Sequence, residues 1–253
     1  MFNKYNYKVI QNKKIYYQED GSKDNPLIVI IHGSLSHTRL YNQFTKSLSK
    51  EFYIIRIQLF GHGKSDPPDP TWTPKDYAKI YNNFIDTFQK PLRVLIGHSF
   101  GGTIALYLST SRSDIKSLIL LSPSISKIEI SLGKLVLNYL VNAFVGITRY
   151  NMMQIYIFGT YLFFTNLLNH LGQNWKTVKS LNSFRDHSFT TTFTNNKITL
   201  IGAIADTIIP TDSITVVAEE KEVNDIVIID GNHDWFFKQP RRLANIVLDR
   251  LNN

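Results

Sequence analysis

A serine flanked by glycines lies at Gly97-His98-Ser99-Phe100-Gly101, the spacing G-x-S-x-G. A serine hydroxyl is a poor nucleophile until a base takes its proton, and that base needs a carboxylate to orient it. Both partners follow further along the chain. Asp206 lies in Gly202-Ala203-Ile204-Ala205-Asp206-Thr207-Ile208-Ile209-Pro210, and His233 in Gly231-Asn232-His233-Asp234-Trp235. The roles this order suggests are Ser99 as nucleophile, His233 as general base and Asp206 as orienting acid, with Asp212 a minor rival for the last. A developing oxyanion needs two backbone N–H groups aimed at it. Phe100, directly after the serine, supplies one, and Ser34 in His32-Gly33-Ser34 is placed to supply the other. Taken singly, each signal has a plainer reading: a glycine-rich turn, a loop or cap carboxylate, a solvated histidine. With Gly and Ser each roughly 7% of residues, a G-x-S-x-G match arises by composition in roughly one chain in ten of this length. The positions of these residues among the elements must therefore carry the argument.

Those elements read as an alternation. Tyr5–Ile10 and Lys14–Glu19 alternate in polarity across Gln11-Asn12-Lys13, as an antiparallel hairpin does. Continuous apolar runs of the buried parallel-strand type follow at Leu27–Ile31, Tyr53–Ile57, Val94–Ile96, Leu118–Leu121, Ile198–Ile201 and Ile226–Ile229. Segments of helical period stand between several of them, at Leu40–Leu48, Tyr77–Phe88, Thr103–Ser109 and Arg241–Leu251. Repetition of strand and helix predicts an α/β fold, a mostly parallel sheet with helices on both faces. Ser99, Asp206 and His233 each come just after a strand, so all three fall at one carboxyl edge of that sheet. A strand-to-helix turn at Ser99 would hold the serine in strained backbone geometry beside the positive end of a helix.

The alternation breaks from Pro123 to about Asn195. Lys134–Tyr150 and Asn151–Leu171 read as the main helices of an aromatic insertion. No Asp, Glu, Lys or Arg occurs from Asn151 to Trp175, but polar residues interrupt the apolar ones throughout. A spanning helix wants roughly 20 predominantly apolar residues, so a helical insertion packed on the sheet is expected rather than a transmembrane span.

At this point the chain resembles the α/β-hydrolase superfamily, in its capped serine-hydrolase, esterase- or lipase-like branch. The resemblance covers roughly residues 14–123 and 195–253. It rests on His32-Gly33-Ser34, Gly61-His62-Gly63-Lys64-Ser65, the Gly97–Gly101 elbow, Asp206…Pro210 and Gly231…His233…Pro240. Two positions depart from the family pattern. Asn232 stands where a second small residue is usual, and Gly202 precedes Asp206 by four residues rather than three. The resemblance implies an α/β-hydrolase core over 1–123 and 190–253 and a helical cap over 124–189. It also implies hydrolysis of an ester or related acyl bond through an acyl-serine intermediate, with no cofactor. The same triad serves carbon–carbon bond hydrolases, thioesterases, cofactor-free haloperoxidases and lyases, and a non-catalytic ligand-binding member is a further alternative.

Composition excludes other classes. The 253 residues contain no cysteine, which removes disulfides, cysteine-ligated zinc, iron–sulfur clusters and a cysteine nucleophile. Gly63-Lys64-Ser65 looks like the end of a phosphate-binding loop, but Gln58 stands where its first glycine belongs. The seven histidines show no metal-binding spacing, so no metal is expected. His98 reads as elbow packing more readily than as a second base. The formal charge of +8 is scattered, without a nucleic-acid signature, so no nucleic acid is expected. The N-terminus lacks the apolar core of a secretory signal, and a cytoplasmic protein is expected. Residues 124–189 carry six Lys or Arg against two acids, a surplus of four positive charges, and are rich in aromatic and apolar side chains such as Phe144, Met152, Met153, Tyr156, Phe158, Tyr161, Phe163 and Phe164. That combination predicts a lipophilic small-molecule acyl substrate, with the basic residues favouring peripheral contact with an anionic membrane surface or a charged leaving group; the plainer alternative is that the aromatics only weld cap to core. It says nothing of oligomeric state.

Overall fold

The computed structural model describes residues 5–125, 132–185 and 197–252. Eight strands form one sheet: β1 (Tyr5–Ile10), β2 (Lys13–Asp20), β3 (Leu27–Ile31), β4 (Tyr53–Ile57), β5 (Leu92–His98), β6 (Ser117–Leu121), β7 (Lys197–Ala203) and β8 (Asp225–Ile229). Their spatial order is β1-β2-β4-β3-β5-β6-β7-β8. The first hairpin joins β4 antiparallel, and every pairing from β4 to β8 is parallel. β3, β4, β6 and nearly all of β5 are buried on both faces, which is why they read as runs dominated by Ile, Leu and Val. β8, at the edge, alternates instead, with Ile226 and Ile228 outward.

The helices are α1 (Asn42–Leu48), α2 (Pro74–Asp86), α3 (Phe100–Ser109), α4 (Leu132–Thr148), α5 (Met153–Asn169), α6 (Asn174–Arg185), α7 (Thr211–Glu220), α8 (Trp235–Lys238) and α9 (Pro240–Asn252). Alternate strand residues feed two apolar clusters, one on each face of the sheet. Val29, Ile31, Ile55 and Leu95 pack with α2, α3 and α7, and Ile28, Ile30, Ile54 and Ile96 with α1, α8 and α9. The start of α2 shows the local cause of one boundary: Pro74 follows the N-cap Thr73, whose N–H donates to Asp76 Oδ2 at 2.8 Å in a capping box.

Observed elements differ from the sequence reading mainly at their ends. Leu40 belongs to a 3₁₀ turn at Thr38–Tyr41 ahead of α1, because His37 accepts the Arg39 N–H and starts the turn early. α6, α7 and α8 have no counterpart in the sequence reading; α6 and α7 are short and mix polar with apolar residues, and α8 is a single turn. α4, α5 and α6 lie between β6 and β7, within the stretch where alternation breaks. The expected boundary at 189/190, together with Lys127, Glu129 and Asp186, lies outside the described residues. No described helix is long and apolar enough to cross a membrane.

Candidate active site

The order in which the strands are added reverses at β3: β4 lies on one side of it, and β5 and all later strands on the other. Such a switch point opens a crevice at the carboxyl ends of the strands. Ile31 of β3 pairs with Gly97 of β5, so the loops that follow, Gly33-Ser34 and Ser99-Phe100, emerge side by side.

Ser99 is the residue between β5 and α3, with φ 50° and ψ −119°. That left-handed conformation is costly for a residue with a Cβ and persists only where surroundings enforce it. Its N–H donates to Leu121 O at 2.9 Å and its carbonyl accepts the Gly102 N–H at 2.9 Å. The flanking glycines are required by contact. A Cβ on Gly97 would lie 2.6 Å from Gly101 O, and one on Gly101 would lie 2.4 Å from the carbonyl oxygens of Ile31 and His32. The tight elbow therefore exists because two backbones touch where side chains would stand.

Asp206 follows β7 and His233 follows β8. His233 Nδ1 meets Asp206 Oδ2 at 2.7 Å, and the Asp206 side chain is wholly buried. The other carboxylate oxygen, Oδ1, accepts the N–H groups of Ile208 at 2.9 Å and Ile209 at 2.8 Å, so the carboxylate cannot rotate away from the ring. Burial opposes protonation of His233, but the Asp206 charge and hydrogen bond, with Asp234 adding to them, outweigh it and raise its pKa above the ordinary imidazole value. Asp212 is exposed in the first turn of α7 and does not approach the histidine. The Ser99 hydroxyl makes no hydrogen bond to His233; such contacts are often long in free enzymes and tighten around substrate. Beside His233 stands His98, buried, its ring centroid 4.7 Å from that of His233 and 4.8 Å from Phe236. Tyr41 Oη lies 3.2 Å from His98 Nδ1, so the residue packs the elbow.

Phe100 begins α3, and Ser34 lies in the wall of the crevice. The loop around Ser34 is held by two histidines whose roles no local motif announced. His62 Nδ1–H donates to Phe60 O at 3.0 Å, which leaves Nε2 to accept the N–H of Leu35 at 3.1 Å. Leu35 has φ 57°, a conformation that needs such an anchor. His32 Nδ1–H donates to Gly33 O at 2.8 Å, and its Nε2 accepts the Leu59 N–H at 3.1 Å. Burial pushes His62 down to about 4 and His32 well below its usual value, as these acceptor roles require. Gly61-His62-Gly63 is thus a brace for the loop of Ser34.

The departure at Asn232 has a structural cause. Its Nδ2 donates to Tyr156 Oη at 2.8 Å and to Asn142 O at 3.1 Å, tying the histidine loop to α5 and α4. Asn142 Oδ1 accepts the His233 N–H at 3.0 Å, and Asn142 Nδ2 donates to Asp234 Oδ2 at 3.0 Å. Tyr156 Oη–H reaches the same carboxylate oxygen at 3.1 Å. Burial pushes the Asp234 carboxyl upward, against these hydrogen bonds and the neighbouring His233 charge. A small residue at 232 could not make this clamp. Gly146, where a Cβ would come within 2.5 Å of the Tyr156 ring, lets α4 and α5 approach closely enough to close it.

A cavity of about 370 Å³ reaches His233 and Ser34 and is walled by Leu40, Leu140, Ile155 and Phe163 among others. Of the aromatics expected to line a pocket, Tyr156 and Phe163 do so, whereas Phe144, Tyr161 and Phe164 are exposed. Among the described residues no group of three or more His, Asp or Glu is arranged to hold a metal.

Lipase LipV of Mycobacterium tuberculosis is 30% identical over 113 residues, 44% of this chain and 42% of that protein. The 2-(acetamidomethylene)succinate hydrolase of Mesorhizobium japonicum is 30% identical over 98 residues, 39% of this chain and 34% of the other. The matches thus span less than half the length of these relatives. The crystal structure of an enol-lactonase from Burkholderia xenovorans LB400 superposes with a TM-score of 0.79 at 16% identity, covering 98% of this chain and 100% of that one. The family profile described as the alpha/beta hydrolase family matches residues 28–246, from β3 through most of α9. With that match across most of its length and the same fold in its solved neighbours, the chain belongs to the alpha/beta hydrolase family.

Proposed function

We propose that this hydrolase cleaves an ester or related acyl bond of a lipophilic small molecule through an acyl intermediate on Ser99. The observation that carries the reading is the 2.7 Å contact between His233 Nδ1 and a fully buried, doubly anchored Asp206. With Nδ1–H committed to the carboxylate, Nε2 is the nitrogen left to accept a proton. Ser99 Oγ attacks the acyl carbon as its proton passes to His233 Nε2. The amides of Ser34 and Phe100 hold the oxyanion. Collapse breaks the bond to the leaving oxygen, which takes the proton from His233 and departs as an alcohol. Water then attacks the acyl-serine, gives its proton to His233, and releases the acid while the proton returns to Ser99. The apolar cavity wall supports a lipophilic acyl group.

A fluorophosphonate probe tests the nucleophile directly. Wild-type protein should be labelled and Ser99→Ala should not, with kcat reduced by roughly 10³-fold or more and thermal stability little changed, since only a hydroxyl is lost. An unlabelled wild type would favour a non-catalytic binder, and labelling that persists in Ser99→Ala would place the reactive group elsewhere.

A further inference from the structure

α5 is turned inside out for a helix in water. Its Asn166 and Asn169 side chains donate to the core loop at Gly61 O and Gly63 O, each at 3.0 Å. Leu162 is buried and Ile155 and Tyr156 line the crevice, but most of its other apolar side chains point outward. Met153, Ile157, Tyr161, Phe164 and Leu168 follow one another at intervals of three or four residues, forming one stripe, and all are exposed, Leu168 by 69%. Leu137, Leu140, Val141 and Phe144 form a matching stripe on the neighbouring α4, and Leu171, Trp175 and Val178 extend it into α6. Among the described residues, fourteen of the twenty-one exposed large hydrophobic side chains fall in this one layer. A continuous apolar surface of that kind marks an interaction site.

We infer that the outward face of α4, α5 and the start of α6 docks in the plane of an anionic lipid bilayer. Charge selects this occupant. From 132 to 185 the chain has Lys134, Arg149, Lys176, Lys179 and Arg185 and not one Asp or Glu. Arg149 is already paired with Asp230 at 3.3 Å, but a second copy of the chain seated on this face would set Lys176 and Lys179 against their equals. Anionic headgroups attract them instead. The geometry is that of an interfacial helix: α5 has 17 residues, roughly 25 Å of rise, and its Asn166 and Asn169 are tied to the core, so it lies along the surface without crossing it. Tyr161 and Trp175 are of the type that settles at headgroup level.

The face is continuous with the crevice. Leu140 and Phe163 belong both to the exposed surface and to the cavity wall. A docked molecule would therefore admit an acyl chain from the lipid without passing it through water. That corollary rests on the proposed hydrolase activity; the docking does not.

Vesicle co-sedimentation of the full chain tests it. The probes are phosphatidylcholine vesicles and vesicles in which about a third of the lipid is phosphatidylglycerol. At low salt the wild type should partition about tenfold more strongly onto the anionic vesicles, with a blue shift of tryptophan fluorescence. Phe164→Glu combined with Leu168→Glu should lower partitioning about tenfold or more and leave turnover of a water-soluble short-chain ester within about twofold. Lys176→Gln with Lys179→Gln should weaken the anionic preference alone. The inference is overturned if the wild type stays in the supernatant, if the Glu variant binds as wild type does, or if binding ignores lipid charge. It is equally overturned if, without lipid, sedimentation velocity shows a dimer that the Glu variant abolishes. Binding that persists while the short-chain ester is not hydrolysed would count against the hydrolase reading and leave the docking face standing.

Discussion

Asn142, in the middle of α4, accepts the backbone N–H of His233 at 3.0 Å, although the two residues are 91 positions apart. The helices between β6 and β7 therefore do more than roof the crevice; one of them sets the position of the candidate base. The same amide donates to Asp234, so its removal would strand the buried His233 N–H and leave the Asp234 carboxylate to Tyr156.

Asn142→Ala should accordingly cost about 1–3 kcal/mol of stability, the penalty for stranding buried polar groups. Turnover should fall roughly tenfold as the His233 loop loosens. A thermal melt and a kcat measured at saturating ester check the two effects. A wild-type kcat in a destabilised variant would confine Asn142 to a structural role.

Asp206→Asn should lower kcat by roughly 10⁴-fold, because an amide neither stabilises an imidazolium nor holds the right tautomer. Asp212→Asn should stay within about threefold of wild type, as an exposed side chain remote from the histidine. Steady-state kinetics of the two variants side by side decide between the carboxylates.

The pH dependence follows from the raised pKa of His233. Only neutral imidazole accepts the serine proton, so kcat/KM should fall as pH drops, with a midpoint above the ordinary value of 6.5. Asp206→Asn should move that midpoint downward. For stability the sign is opposite: the Asp206–His233 attraction contributes fully below the unfolded pKa and is lost as pH rises through the folded one. A pH–rate profile and melting temperatures across the same range give both signs.

Substrate length provides a separate measure of the crevice. Each methylene removed from water is worth about 0.8 kcal/mol, so lengthening a p-nitrophenyl ester from about two to eight carbons should raise kcat/KM at least about tenfold. A flat or falling series would reject the lipophilic pocket and leave the nucleophile untouched.

By itself the sequence determined the sheet, the order of its elements and the points where Ser99, Asp206 and His233 leave it. These are local properties: buried parallel strands must be continuous apolar runs, and a tight strand-to-helix elbow must have glycine on both sides of its serine. Only the tertiary structure decided which carboxylate meets the histidine, because Asp206 and Asp212 differ in approach rather than in residue type. It also decided that Gly61-His62-Gly63 braces the loop of Ser34, that Asn232 clamps two helices and that Asn142 holds His233. Each depends on a polar partner 27 to 91 residues distant, and burial makes such pairings obligatory without leaving any trace in local spacing. The aromatic helices show the same division. Their composition announced apolar surface, but whether a given ring faced the crevice, the core or the outside depended on Asn166 and Asn169. Their bonds to the core loop fix the rotation of α5 and so turn its apolar stripe outward.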